Sequence, residues 1–173
     1  AKSRPDGHTL LAVSPSITIA PALYRDLPYD VNRDFTPVTQ MSKRATLIVA
    51  TPGLPARNIA ELVPYMRANP GRVNWGTVGQ GSISHLLGAW LQMLTNTQMT
   101  IVHYKGSAPM NVDLIAGRIQ ASAYTFISAT PLIKAGKIKA LALSSAERSA
   151  LLPDMPTVQE PVSYTHLTLP TKA

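Results

Sequence analysis

The side chains best suited to chemistry cluster in one short stretch, GQGSISH. It contains Gly79, Gly81, Ser82, Ser84 and His85. Glycines let the backbone turn sharply and approach a ligand closely. Hydroxyls and the free N–H groups at a helix start can bind an anion, which the partial positive charge there favours. The stretch therefore predicts either a small-anion site or a tight strand-to-helix connection without a ligand, since such turns are common in α/β proteins.

The same stretch departs from the common nucleotide and hydrolase motifs. A GxxxxGK[ST] loop needs a lysine that does not follow Gly81, and Ser84 replaces the third glycine of GxGxxG. Neither Ser82 nor Ser84 has the flanking glycines of GxSxG. Ser82 and His85 could serve as nucleophile and base, but no orienting acid is evident. We predict no catalytic residue, with a small serine-dependent hydrolase or transferase, or a non-catalytic interaction domain, as alternatives.

A strand and a helix are expected to position this stretch. Residues 73–75 are short and apolar, as in a strand that runs into the glycine turn. After the turn, apolar residues recur at spacings of three and four, which predicts one buried helix face. Its members are Ile83, Leu86, Leu87, Trp90, Leu91 and Leu94.

The remaining pattern alternates strands and helices. Strands are predicted at 9–13, 35–40, 45–50, 99–103, 120–124 and 139–144. Helices are predicted at 19–24, 58–69, 107–116 and 130–135. From residue 73 onward the short spacing between strands favours a parallel sheet with right-handed crossovers. Three strand ends, near Thr77, Lys105 and Thr125, would then line one rim of that sheet, where ligands bind in open α/β folds.

Further polar candidates stand at other strand ends. Ser14 and Ser16 follow residues 9–13 and are ligand-contact candidates, or a plain turn or helix cap. Lys105, Gly106 and Ser107 open a second strand–turn–helix, with Ser107 as the expected cap. The Lys105 charge could meet a carboxylate, although a solvent-facing lysine is the commoner case.

Composition narrows the partners. The net charge of +7 suits anions, but the basic residues are scattered and aromatic residues are only 6%, so we predict no nucleic-acid partner. No histidines or carboxylates stand at metal-ligand spacing and cysteine is absent, so neither a metal nor a cofactor is predicted. No run of apolar residues is long enough to span a bilayer, so no direct membrane insertion is predicted.

Several blocks together resemble the solute-binding receptors of tripartite tricarboxylate transporters, also called Bug-type periplasmic receptors. The resemblance covers residues 1 to about 160 and rests on PDGHTLL, PALYRDLPYDVNRDFTPVT, GxGSxSH at 79–85, HYKGSAP at 103–109, IKAGKIKALALSS at 133–145 and RS-LLPDMPTV at 148–158.

This resemblance implies an α/β fold of the periplasmic-binding-protein type II-like (Venus flytrap) kind. It implies extracytoplasmic capture of a small organic carboxylate, held largely by backbone N–H groups and hydroxyls, and delivery to membrane transporter subunits. The localisation it implies is periplasmic. Ser14 and Ser16 would then face residues 79–85 and 105–107 when the lobes close.

The family pattern also implies that this chain is a fragment. It lacks the usual first strand and signal peptide, so one nearly complete parallel-sheet lobe plus a partial first lobe is expected. We assign residues 1–51 to the partial lobe, 52–145 to lobe 2, 146–161 to a return segment and 162–173 to a non-native tail. The family often has an acid at the third strand end, where Tyr124 and Thr125 stand. A plain carboxylate is therefore favoured over an amino acid.

Overall fold

The computed structural model describes residues 1–42, 45–145, 147–149, 154–158 and 160. Its strands are β1 (Thr46–Ala50), β2 (Asn74–Thr77), β3 (Thr100–His103), β4 (Ala121–Thr125) and β5 (Lys139–Leu143). Its helices are α1 (Ser16–Leu23), α2 (Val31–Asp34), α3 (Ile59–Ala68), α4 (Ile83–Thr95), α5 (Ser107–Ile115) and α6 (Phe126–Lys134).

The five strands form one mixed sheet in the order β3-β2-β4-β1-β5. β2 pairs in parallel with β3 and β4, whereas β1 runs antiparallel to both of its neighbours, β4 and β5. Four strands therefore share one direction. The mostly parallel sheet predicted from the sequence is confirmed, with β1 as its reversed member.

Successive side chains of a strand point to opposite faces, and β1 shows how this builds two cores. Leu47 and Val49 pack with α5 and α6 on one face, while Ile48 and Ala50 pack with α3 and α4 on the other. A strand buried on both faces reads as a continuous apolar run, as TLIVA does.

Helix α4 buries a different face from the one predicted. Its buried residues are Ser84, Gly88, Leu91 and Thr95, whereas Ile83 and Trp90 are 39% and 41% exposed. The cause is the buried Trp75 ring of β2, whose Nε1 donates to the Ser84 carbonyl at 2.8 Å. A Cβ at position 88 would lie 2.6 Å from that nitrogen, so only glycine admits the ring at this distance. Small residues and Leu91, rather than Ile83 and Trp90, therefore face the sheet.

The amino-terminal part also departs from expectation. Residues 9–13 and 35–40 form no strand, and Leu10 and Val38 are each 78% exposed. A strand needs a paired neighbour, and none lies beside these segments in the described part of the chain. β1, which was assigned to the partial first lobe, pairs with β4 and β5 and lies inside the sheet. The predicted tail 162–173 lies outside the described residues.

We expect Gly88→Ala to destabilise the protein although alanine favours helices. The added methyl must displace a fully buried indole, and overpacking of this kind costs about 1–3 kcal/mol. Differential scanning calorimetry would show a lower Tm. Gly53→Ala is the matched control, because a Cβ added there would meet nothing within 4 Å. A Gly88→Ala protein as stable as Gly53→Ala would contradict the packing described above.

Candidate functional site

The carboxyl ends of β2, β3 and β4 meet at one edge of the sheet because these strands are parallel. Helices α4, α5 and α6 begin just beyond those ends. We call this edge the rim, formed by residues 77–85, 103–107 and 125–126. Three helix starts at one place direct unpaired N–H groups and partial positive charge to a common region. The rim is thus an electrostatic setting for an anion.

The loop from Gly79 to His85 is held together by its own side chains. Ser82 caps α4, accepting from the His85 N–H at 3.3 Å, and its hydroxyl lies 2.7 Å from the Gly79 carbonyl. Ser84 is buried, and its Oγ accepts from the Val78 N–H at 3.1 Å. The two hydroxyls lie 3.0 Å apart. Both predicted serines therefore shape the turn rather than standing free in it.

Two histidines, His85 and His103, make contacts that stabilise the same loop. His85 Nδ1 accepts from the Gly81 N–H at 3.1 Å, so the neutral ring carries its proton on Nε2. His103 Nδ1 lies 2.7 Å from the Thr77 hydroxyl, and the two rings meet edge to face with centroids 4.9 Å apart. Burial and the neighbouring His103 lower the pKa of His85. His103 was not among the predicted site residues, and its position at a strand end was the signal that could have identified it.

Backbone donors remain free at the start of α4. The N–H groups of Gln80, Ile83 and Ser84 make no hydrogen bond within the described ranges. Gly79 and Gly81, with φ of +128° and +74°, give the loop the left-handed turns that direct these groups outward from the strand. An anion that accepted from them would satisfy donors that the fold itself leaves unpaired.

The start of α5 lacks the side-chain cap that was predicted there. Gly106, at φ +114°, is the N-cap and offers no side chain, whereas Ser107 is the first helical residue and does not cap. The N–H groups of Ser107 and Ala108 have no partner in the part of the chain that is described. Lys105 is exposed and makes no ion pair there. This start therefore supplies two free donors and one free cation.

A hydrogen-bonded group behind Lys105 fixes the loop in place. The Tyr104 hydroxyl donates to Asp113 at 2.6 Å, and Arg118 binds the same carboxylate at 2.6 Å. Burial, followed by the hydrogen bond to Asp113, raises the pKa of Tyr104 to about 12. Sequence reasoning missed this group, because residues 104, 113 and 118 form no recognisable motif.

Thr125 sits at the end of β4 and caps α6, accepting from the Ser128 N–H at 3.4 Å. The preceding Tyr124 is buried, and its hydroxyl donates to Asn111 at 2.5 Å. Burial raises the pKa of Tyr124 to about 12. Thr125 therefore shares the rim, but its hydroxyl is occupied within its own helix turn.

Ser14 and Ser16 lie across a cleft from the glycine loop. Their hydroxyls hydrogen-bond to each other, and both residues line a cleft of about 430 Å³ with Gln80 and Gly81. Leu23 of α1 closes one side, since a Cβ at Gly81 would lie 2.5 Å from its Cδ1. The segment before the sheet thus meets the loop that was predicted to face it.

Only some of the predicted site residues contact one another. Thr77 and residues 79–85 form one hydrogen-bonded group, and Ser14 and Ser16 face it across the cleft. Residues 105–107 and Thr125 share the rim without a hydrogen bond to that group in the described ranges. The hydrolase alternative needs the Ser82 hydroxyl on the His85 imidazole, but that hydroxyl points to the Gly79 carbonyl and Nδ1 takes the Gly81 N–H.

The described residues offer neither a metal site nor a membrane span. No group of three or more His, Asp or Glu side chains among them could hold a metal ion. Within the same ranges, every helix is too short or too polar to cross a bilayer.

Comparison with known sequences identifies relatives along almost the whole chain. A sequence model of the tripartite tricarboxylate transporter family receptor matches residues 1–170. A protein of Agrobacterium vitis from the TAR-I ttuE-ttuC' intergenic region is 37% identical over 92% of this chain and 46% of its own length. The protein BugT of Bordetella pertussis is 34% identical over 92% of this chain and 50% of its own length. The chain thus spans about half the length of the curated relatives it matches.

Solved structures agree with the sequence relatives. The R. palustris protein Rpa4515, solved with adipate, is 36% identical with a TM-score of 0.74, over 80% of this chain and 46% of that one. MatC from Rhodopseudomonas palustris, solved with bound malate, is 29% identical with a TM-score of 0.73, over 83% and 49%. The predicted periplasmic-binding-protein fold class is confirmed by these neighbours. The chain belongs to the tripartite tricarboxylate transporter receptor family.

Proposed function

We propose that the complete receptor captures a small organic di- or tricarboxylate outside the cytoplasm and that the rim described here supplies one wall of its site. The observation that carries this proposal is the set of unpaired N–H groups at the starts of α4 and α5, with Lys105 between the two helices. The rim segments 78–85 and 103–107 contain no acidic residue, so nothing there repels a carboxylate. Charged acceptors on backbone donors make strong hydrogen bonds.

The rim and the relatives together support this ligand class. Adipate and malate, bound in two solved relatives, both carry two carboxylates. Two separate helix starts, at Ser82 and Gly106, offer one donor group for each carboxylate. Tyr124 and Thr125 provide no acid for an amino group, which favours plain carboxylates over amino acids.

Binding would act by a shift between open and closed arrangements, without bond chemistry. The sheet unit, residues 45–145, would form one lobe together with residues 155–158, which bond to the end of β5, and residues 1–42 would belong to the other. The cleft between Ser14, Ser16 and Gly81 is where these two parts already meet. Delivery to membrane transporter subunits is the role that the family description suggests for the whole receptor.

We expect a dicarboxylate to raise the Tm of this chain. Each of adipate, malate, succinate, citrate, glutamate and benzoate would be added to a calorimetric melt, with chloride at equal ionic strength as reference. A ligand at a hundred times its Kd stabilises the folded state by about 2.7 kcal/mol. A cooperative melt that no acid shifts would contradict carboxylate capture by this chain.

A matched pair of variants tests where the ligand binds. Ser107→Pro removes the first N–H of α5 at a position where proline suits a helix, whereas Ser107→Ala keeps that N–H. Loss of a hydrogen bond to a charged group costs about 1.5–3 kcal/mol, so Ser107→Pro should weaken binding at least about tenfold. Isothermal titration with the acid selected above would measure it. Equal affinities of the two variants would remove the α5 start from the site.

Acidification should lower the stability of the folded protein because His85 becomes protonated. The pKa of His85 is lower in the folded protein than its ordinary value of 6.5. The neutral ring therefore contributes to the free energy of unfolding. This contribution is complete above pH 6.5 and is lost as the pH falls through the folded pKa. We expect the Tm difference between pH 7.5 and pH 5 to be smaller in His85→Gln than in the wild type. His8→Gln, at an exposed position near the amino terminus, is the control. If both variants keep the wild-type difference, His85 does not titrate as described.

A further inference from the structure

The edge of the sheet opposite the rim carries most of the bases found in residues 45–145. Strand register aligns Trp75 of β2 with Ala121 of β4, Ala121 with Ala50 of β1, and Ala50 with Lys139 of β5. Because β1 is reversed, its carboxyl end lies beside the amino ends of β2, β4 and β5. Residues just outside this row therefore share one surface, which we call the basal edge.

The basal edge is strongly basic. Residues 45–145 contain the acids Glu61 and Asp113 and eight bases, and Lys105 is the base that belongs to the rim. The other seven precede the strands at this edge, follow β1, or stand near helix carboxyl ends: Arg57, Arg67, Arg72, Arg118, Lys134, Lys137 and Lys139.

Among the described residues, few of these bases are paired with an acid. Arg118 is paired with Asp113, and Lys139 Nζ donates to the carbonyls of Pro52 and Leu54. Burial, followed by the charge of Arg57, lowers the pKa of Lys139, and the charge of Glu61 acts in the opposite direction. Arg72 and Lys137 are exposed and form no ion pair within the described residues. A partner that supplied carboxylates would neutralise these two cations.

A concave surface lies at the same edge. A cavity of about 740 Å³ opens between the turn after β1, the end of α3 and the end of α5. Arg72 and Tyr65 line it together with the apolar side chains of Leu54 and Ile115. A guanidinium beside apolar and aromatic walls fits a side chain that carries a carboxylate on a short apolar stem.

We propose that the basal edge docks an acidic segment of a partner protein, with a projecting Glu or Asp inserted beside Arg72. Charge complementarity selects the acidic partner. The concave shape favours a projecting loop over a flat anionic bilayer. This docking does not rest on carboxylate capture at the rim, because the two surfaces lie at opposite ends of the strands. A partner bound here would leave the ligand entrance uncovered.

The test uses this chain and a fluorescein-labelled octaglutamate peptide, with binding followed by fluorescence anisotropy at low and raised ionic strength. Arg72→Glu and Lys137→Glu, each at an exposed side chain, should weaken binding at least about tenfold, since like charges across an interface cost several kcal/mol. Arg4→Glu makes the same charge change at an exposed position of the amino-terminal segment, outside the rim and the seven bases, and should leave binding unchanged. Circular dichroism melts of all three variants establish that each is folded.

Hydrogen exchange supplies the location. The peptide should slow exchange of the amides at 51–55 and 115–120 and leave 79–85 unaffected. Equal weakening by all three charge reversals would show attraction by net charge alone and overturn the proposal. Vesicles of phosphatidylglycerol, with phosphatidylcholine vesicles as reference, form a second arm. Binding to the anionic vesicles through Arg72, without binding to the peptide, would assign the edge to a membrane surface instead.

Discussion

The contact between Trp75 and helix α4 fixes the start of α4 at the rim. The indole is fully buried, its Nε1 donates to the first turn of α4, and Gly88 lets the helix axis come close to the ring. This bond orients the amino end of α4 toward the end of β2. The same turn carries the Ser82 cap and the Ser84 bond to Val78, so the glycine loop inherits its shape from a contact in the core. The rim is thus a consequence of how one large side chain is accommodated.

Sequence patterns predicted the elements from β1 to β5 well, because strands that are buried on both faces and helices with capping residues leave strong local signals. Asn58 and Ser82 are the N-cap residues of α3 and α4. The buried face of α4 was predicted wrongly, since hydrophobic spacing cannot show that a neighbouring strand presents tryptophan and requires glycine opposite. Direction was also beyond local pattern: TLIVA predicts a buried strand equally well in either orientation.

The candidate site was predictable in part for similar reasons. The glycines, hydroxyls and histidine of residues 79–85 predicted the loop. The expected parallel strands predicted that Thr77, Lys105 and Thr125 lie at one edge of the sheet. The sequence could not distinguish side chains that are free to contact a ligand from side chains that stabilise the turn. Ser82 and Ser84 are engaged with backbone atoms, and the free donors are N–H groups that every residue type except proline possesses. His103 contacts Thr77 across two strands, and Asp113 of α5 bonds to Tyr104 and Arg118; a linear pattern reveals neither contact.

Because most of the bases in residues 45–145 lie at the opposite edge, the electrostatics of the rim depend mainly on the helix dipoles. Strands of four or five residues separate the edges by roughly 13–17 Å at about 3.3 Å per residue, which exceeds the Debye length of about 8 Å at physiological ionic strength. Through solvent, the bases of the basal edge are therefore largely screened at the rim. A carboxylate bound there, as proposed, would meet fixed N–H groups and Lys105 rather than a cluster of cations. Such a site would favour orientation and chain length over total charge, because each helix start would have to reach its own carboxylate.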